Sequence, residues 1–124
     1  MRSLAKLQPL VANSLDECVN VSYSLQMNDI RQTFEFTRWF AKLKDRNGRA
    51  RIMARLLRVA EGNMGDYKSL GNGLFEFRLA FGPGYRLYFC YEDNKIIILL
   101  AGGDKSTQER DVGKALEILK GLQQ

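Results

Sequence analysis

Two arginines spaced around a tight turn could bind a phosphate group. Gly82-Pro83-Gly84 predicts a turn between two stretches in which apolar and polar residues alternate, which is the pattern of an antiparallel hairpin. If the turn pairs Leu79 with Tyr85, Arg78 lies directly opposite Arg86. Like charges in that arrangement destabilise a sheet by up to ~1 kcal/mol, unless an anion or a carboxylate lies between them. A phosphate group would interact favourably with both guanidinium groups.

Glu76 and Tyr88 form the neighbouring pair of the same predicted hairpin. They share a face with the two arginines, away from the aromatic residues Phe75, Phe77 and Phe89. The carboxylate could therefore compensate the arginines in a surface network that binds no ligand. The sequence leaves both interpretations open.

A third cation follows the strand predicted to be central. After a predicted turn at Asp93-Asn94, the apolar run Ile96–Leu100 is typical of a strand buried on both faces, and Gly102-Gly103-Asp104-Lys105 comes shortly after it. Flexible backbone amides, the start of a helix and a lysine are components of anion sites. An ordinary glycine turn before a capped helix has the same composition. Because this strand follows the hairpin in sequence, we expect their ends to converge on one edge of the sheet.

Positive charge is concentrated in one part of the chain. The whole sequence has a net charge of +5, but residues 38–58 alone carry +7. The basic residues of that stretch are Arg38, Lys42, Lys44, Arg46, Arg49, Arg51, Arg55 and Arg58. Such a cluster attracts phosphate or an acidic protein over about one Debye length, ~8 Å at physiological salt. A solvated helix face is the alternative interpretation.

Composition excludes several kinds of site. The chain has no histidine, which rules out Ser-His and Cys-His nucleophile systems, histidine zinc sites and histidine acid-base catalysis. Cys18 and Cys90 are isolated and indicate neither a disulfide framework nor a metal site, so we expect no metal and no cofactor. The longest apolar run, residues 96–101, is too short to span a bilayer. These features fit a protein of the reducing cytoplasm.

Hydrophobic periodicity predicts an α+β fold. Apolar residues at helical spacing indicate one helix after Thr33 and a second that follows a break at Asn47-Gly48 and stops at Gly62-Asn63. From Tyr67 the period changes to two, which predicts strands, and Ser106–Glu109 has the pattern of a capping box that opens a last helix. We therefore expect two N-terminal helices and a C-terminal helix packed on a mainly antiparallel twisted sheet.

Four segments together carry a family resemblance. They are Gly62-Asn63-Met64-Gly65-Asp66-Tyr67-Lys68-Ser69-Leu70-Gly71, Glu76-Phe77-Arg78, Gly82-Pro83-Gly84-Tyr85-Arg86-Leu87-Tyr88-Phe89, and Leu99-Leu100-Ala101-Gly102-Gly103-Asp104-Lys105 with Gln108 and Asp111. With these segments the chain resembles the RelE/ParE superfamily of toxins from toxin-antitoxin systems, in particular the HigB-like addiction module killer proteins. The resemblance implies a compact α+β fold and a partner antitoxin with a helix-turn-helix domain, encoded by an adjacent gene.

The resemblance also implies an activity. RelE and HigB toxins cleave messenger RNA on the ribosome. By position, Arg78 matches a basic substrate contact, Arg86 the arginine that faces the scissile phosphate, and Lys105 a basic residue near the last helix. The chain departs from the RelE pattern at Glu76, where RelE has a lysine, and near Asp111, where RelE has a tyrosine.

The leading hypothesis is a metal-independent endoribonuclease in which the 2′-hydroxyl of the RNA attacks the adjacent phosphate. Arg78 and Arg86 would hold the non-bridging oxygens, and Lys105 would assist the leaving oxygen. Glu76 is the nearest candidate for accepting the proton, since arginine cannot act as a base at neutral pH. Contacts with the ribosome, messenger RNA or an antitoxin are expected of Lys42, Lys44, Arg46, Arg49, Arg51, Arg55, Arg58, Lys68, Tyr88 and Gln108. A membrane partner is not expected.

Two other functions stay open. ParE-like members of the superfamily poison DNA gyrase and are not nucleases, and the lost tyrosine near Asp111 is compatible with that activity. A degenerate toxin that only captures an antitoxin is the second alternative. In that case the basic stretch 38–58 would bind an acidic segment of the antitoxin.

Residues 1–26 lie outside the family pattern, and residues 27–124 form the expected toxin domain. Met27 stands where such toxins commonly start, so we expect the first 26 residues to be an extension from an upstream start codon or a lineage-specific addition. Alternating residues at Val19–Leu25 predict a strand within them. The intact mass of protein made from the native gene tests the start-codon explanation, which a mass that includes Met1 would reject.

Overall fold

The computed structural model describes residues 8–9, 28–93 and 96–123. The elements in chain order are β1 (Gln8–Pro9), β2 (Asp29–Gln32), α1 (Phe34–Lys42), α2 (Arg46–Ala60), β3 (Tyr67–Gly71), β4 (Leu74–Arg78), β5 (Tyr85–Asp93), β6 (Ile96–Asp104), a 3-10 turn (Lys105–Thr107) and α3 (Gln108–Leu122). This arrangement confirms the predicted α+β fold. The strand predicted at residues 19–25 and Asn94 of the predicted turn lie outside the described residues.

The sheet is mixed and mainly antiparallel. Its strand order is β1-β2-β6-β5-β4-β3, and only the β2–β6 pair is parallel among the described strands. Residues 97–101 of β6 are buried between its two neighbours. The prediction that this apolar run is a central strand covered on both faces is therefore confirmed.

Helices cover both faces of the sheet. On one face, α1 and α2 contribute Phe36, Ile52 and Leu56 to a core that includes Phe77 and Phe89 of the sheet. On the other face, Ala115 and Leu119 of α3 form a second core with strand residues, among them Leu74, Tyr88, Cys90, Ile98 and Leu100. The predicted polar face of the β4–β5 hairpin consequently lies beneath α3 along much of its length.

The β4–β5 register is the one the sequence predicts. The Leu79 amide donates to the Tyr85 carbonyl at 3.0 Å, and Arg78 pairs with Arg86 in the ladder. Glu76 pairs with Tyr88 at the next position of the same face. The two arginines are therefore cross-strand neighbours at one end of the sheet.

Helix boundaries differ from the predictions at two places. Asn47-Gly48 does not separate the helices but lies in the first turn of α2, because the Asp45 carboxylate caps that helix by accepting from the Gly48 amide at 3.0 Å. The predicted capping box is also displaced. It joins Asp104 and Thr107 around the 3-10 turn, and α3 starts at Gln108 without a side-chain cap. Within the described part of the chain, no helix has the length and apolar character needed to cross a membrane.

Gly102 and Gly103 allow close packing on the two faces of β6. A Cβ atom at Gly102 would overlap the Trp39 ring, and one at Gly103 would overlap the Asp111 carboxylate. Both glycines are buried within the strand. Their main structural role is to let α1 and α3 approach the sheet, so neither of the two interpretations left open by the sequence, an anion-binding loop or an ordinary glycine turn, describes these positions.

The Gly102→Ala variant is expected to be less stable than the wild type by about 1–3 kcal/mol, because the methyl group overpacks the contact with Trp39. Gly113→Ala is the matched control. It lies on an exposed side of α3 with open space around it, so the same substitution should raise helix stability by up to ~1 kcal/mol. Urea unfolding curves measure both changes, and equal midpoints for the two variants would contradict the packing role.

Candidate functional site

Arg78, Arg86 and Lys105 meet at one cleft, as the sequence predicts. The cleft has a volume of about 380 Å³ and is also lined by Asp66 and by residues of the β4–β5 turn. Three cations and one carboxylate therefore face the same space among the described residues. That excess of positive charge suits an anionic ligand of the size of a phosphodiester.

Strand order explains how residues distant in sequence reach the cleft. Asp66 immediately precedes β3, Arg78 ends β4, Arg86 lies at the start of β5 and Lys105 follows β6. These four strands are neighbours in the sheet, spaced at ~4.8 Å. The four residues therefore lie in a row at the same end of these four strands, in the order in which the strands lie in the sheet.

Arg86 is held rigidly. Its Nη1 atom donates to the Gly84 carbonyl at 3.0 Å and the Tyr85 carbonyl at 3.2 Å, and its side chain is 13% exposed. Gly84 has φ +81°, and a Cβ atom there would lie 3.4 Å from both Arg86 Nη1 and Lys105 Cβ. This glycine lets the turn fold close to both cations.

Arg78 pairs with a carboxylate that sequence reasoning did not single out. Its Nη2 atom donates to Asp66 Oδ1 at 3.1 Å, and the two side chains are 38% and 56% exposed. The two residues are twelve positions apart, and their contact depends on the β3–β4 register. Asp66 stood within the quoted family segment, but nothing in its local pattern indicates a contact with Arg78.

Arg55 is a structural residue, which corrects its expected place on the binding surface. It is only 8% exposed, because its guanidinium group donates to three backbone carbonyls, those of Met64 at 3.1 Å, Arg78 at 3.0 Å and Asp66 at 2.5 Å. Burial lowers the pKa of Arg55. Gly65 has φ +72° and passes so close that a Cβ atom would lie 2.6 Å from Arg55 Nε. Arg55 thereby ties α2 to the Asp66 segment and to the end of β4.

Glu76 and Tyr88 are fully buried under α3, so both expectations about them are corrected. Neither residue lines the cleft, and Glu76 is not placed to accept a proton from a ligand there. Glu76 Oε2 accepts from Gln108 Nε2 at 2.7 Å and lies 3.8 Å from Arg86 Nε. Burial, with the Glu76 and Asp111 carboxylates nearby, raises the pKa of Tyr88. Glu76 therefore acts on the cleft only from behind, through its negative charge near Arg86.

Lys105 contributes its side chain to the cleft, but the backbone around it is already occupied. The Ser106 amide donates to Asp104 Oδ1 at 2.8 Å, and the Asp104 amide donates to Thr107 Oγ1 at 3.3 Å. These internal bonds satisfy amides that an anion-binding loop would offer to a ligand. Lys105 is exposed and lines the cleft.

The remaining predicted binding residues are distributed over two regions. Those exposed at the helical side are Lys42, Lys44, Arg46, Arg51 and Arg58. None of them forms a salt bridge with another described residue. Arg49 is half-buried and donates to the Leu43 carbonyl at 3.0 Å. Lys68 is exposed on β3, whereas Gln108 directs its amide to Glu76.

A second hollow, next to the cleft, is lined by the aromatic ring of Phe81. It has a volume of about 540 Å³, shares Gly82 with the cleft and is lined by Arg51 and Phe81, among others. The Arg51 guanidinium carbon lies 4.8 Å from the centre of the Phe81 ring. Asp45 also lines this hollow, and its Oδ2 atom accepts a hydrogen bond from the Tyr85 hydroxyl at 2.7 Å. That hydrogen bond lowers the pKa of Asp45.

Comparisons with known proteins show similarity to one family and to one relative from a bacterium. The family model "Phage derived protein Gp49-like (DUF891)" matches residues 38–120. A relative from Haemophilus influenzae, named only as an uncharacterized protein, is 45% identical over 86 residues, which cover 69% of this chain and 87% of the relative. No solved structure matches the chain.

The Gln108→Ala variant is expected to lose about 1.5–3 kcal/mol of stability, because Glu76 Oε2 loses its hydrogen-bond donor while the carboxylate stays buried. Glu117→Ala, an exposed position on the same helix, is the control and should change stability by no more than ~0.5 kcal/mol. Thermal or urea unfolding measures the difference. Equal stabilities would show that Gln108 does not support the buried carboxylate.

Proposed function

The chain belongs to the Gp49-like family of phage-derived proteins, a toxin-like family, and from that premise we propose that it is the toxin of a type II toxin-antitoxin system. Its activity is ribosome-dependent, metal-independent cleavage of messenger RNA, as in the HigB-like branch of the RelE/ParE superfamily. We assign this activity to residues 27–124 and to the cytoplasm.

The observation that carries this proposal is the Arg78–Arg86 pair at the cleft. Attack of a 2′-hydroxyl on the neighbouring phosphate increases the negative charge on the non-bridging oxygens. Guanidinium groups already fixed around that position stabilise this charge without having to reorganise. Arg86 meets the requirement because backbone carbonyls hold one of its terminal nitrogens.

The exposed basic helix face supports the proposed partners. Ribosome docking means contact with ribosomal RNA, and exposed cations that form no salt bridge with the residues described by the structure can pair with its phosphates. A helix-turn-helix antitoxin encoded by an adjacent gene would use an acidic segment on the same face. Both contacts weaken as salt concentration rises, since exposed charges are screened.

Induction of the gene without its neighbour tests the proposed function. We expect growth arrest and new messenger-RNA 5′ ends, which purified protein reproduces only when ribosomes are present. Purified gyrase in a supercoiling assay is the matched comparison. Inhibition of gyrase with no new RNA ends would contradict the nuclease proposal and support the ParE-like alternative, and unimpaired growth would support a toxin without catalysis.

The Arg86→Ala variant is expected to cleave messenger RNA ~10²- to 10³-fold more slowly, since it removes a fixed donor to the phosphate. Lys120→Ala is the control, because this exposed lysine in the last turn of α3 does not line the cleft. Single-turnover cleavage on programmed ribosomes measures both rates. An unchanged rate for Arg86→Ala would overturn the assignment.

A further inference from the structure

The proposed reaction needs a proton acceptor, and the buried Glu76 does not reach the cleft. Asp66 is the carboxylate among the described residues that line it. We propose that Asp66 is the general base and takes the proton from the attacking 2′-hydroxyl. This inference rests on the proposed ribonuclease function and assigns a residue to its first chemical step.

Asp66 combines a fixed backbone with an accessible carboxylate. Its carbonyl accepts from Arg55 Nη2 at 2.5 Å and from the Arg78 amide at 3.0 Å, so the residue is held from two sides. Its side chain is 56% exposed and uses Oδ1 to accept from Arg78 Nη2. A ligand bound to Arg78 would therefore lie within reach of a carboxylate oxygen, as general-base catalysis requires.

The order of side chains along the sheet edge suits an in-line displacement. Such a reaction needs the attacking and leaving oxygens on opposite sides of the phosphorus. Asp66 lies beside Arg78 at one end of the cleft, whereas Lys105 lies beside Gly84 and Arg86 at the other end. A phosphate between the two arginines would have the carboxylate on one side and the ammonium group on the other.

The step balances with these two groups. The 2′-hydroxyl proton passes to an Asp66 carboxylate oxygen as the O2′–P bond forms and the P–O5′ bond breaks. The departing O5′ takes a proton from Lys105 Nζ. The products are a 2′,3′-cyclic phosphate and a 5′-hydroxyl, and exchange with solvent then restores the charges of Asp66 and Lys105.

A purely structural role for Asp66 makes a different prediction. If the carboxylate only positions Arg78 through its hydrogen bond, an amide at the same position would keep the Oδ1 acceptor and leave the rate nearly unchanged. The Asp66→Asn variant is therefore informative, because it removes the proton-accepting charge while its Oδ1 can still bind Arg78. The backbone contacts with Arg55 do not involve the substituted side chain.

The experiment compares wild type, Asp66→Asn, Asp66→Glu and Lys105→Ala on programmed ribosomes with two messenger RNAs. One has the natural linkage at the cleavage site, and the other has sulfur in place of the bridging 5′ oxygen, which leaves without needing a proton. We expect Asp66→Asn to lose ~100-fold or more on both RNAs and Asp66→Glu to recover part of the rate. Lys105→Ala should be slow on the natural linkage and near wild type on the sulfur linkage.

Other outcomes would contradict either the role of Asp66 or the proposed function as a whole. An Asp66→Asn rate within about threefold of wild type on the natural linkage, or recovery of that variant by the sulfur linkage, overturns the assignment of Asp66 as base and leaves the ribonuclease function standing. Co-sedimentation with ribosomes and an unchanged unfolding midpoint confirm that the variant is folded and bound. Failure of the wild type to cut either RNA overturns the proposed function, and the role of Asp66 with it.

Discussion

The cleft depends on keeping two like charges side by side on neighbouring strands. Arg78 and Arg86 are paired in the β4–β5 ladder, and each has its own carboxylate. Glu76 lies behind Arg86 in the buried layer under α3, and Asp66 lies beside Arg78 near the surface. Because one counter-charge lies behind Arg86 and the other beside Arg78, the cleft keeps an excess of positive charge that suits an anion.

Local pattern was sufficient to predict the hairpin and its register. Alternation around the Gly82-Pro83-Gly84 turn placed Arg78 opposite Arg86, and the structure has the same pairs. The alternation did not predict that α3 covers the polar face of this hairpin. A period of two separates the two faces of a strand, but it does not indicate which helix packs on each face. The burial of Glu76 and Tyr88 is a consequence of where α3 docks.

The helical period indicates that Arg55 is buried, whereas its positive charge favours a place on the surface. It follows Ile52 by three positions and precedes Leu56 and Val59 on the apolar stripe of α2, so its burial agrees with the helical period. Charge counting placed it with the surface residues instead. Asp66 is the opposite case, since its contact with Arg78 arises only when β3 pairs with β4, and no local pattern encodes that pairing.

Arg55 of α2 donates hydrogen bonds to three backbone carbonyls, two of which belong to the cleft residues Asp66 and Arg78. The alignment of the cleft therefore depends on α2 as well as on the sheet. A planar guanidinium group has the fork of donors needed for such a triple contact, whereas a lysine ammonium in its place would act as a single point charge. Warming that loosens this helix would therefore misalign Asp66 and Arg78 while the β4–β5 ladder is still intact. Loss of the cleft's alignment ahead of global melting is the behaviour to which this architecture leads.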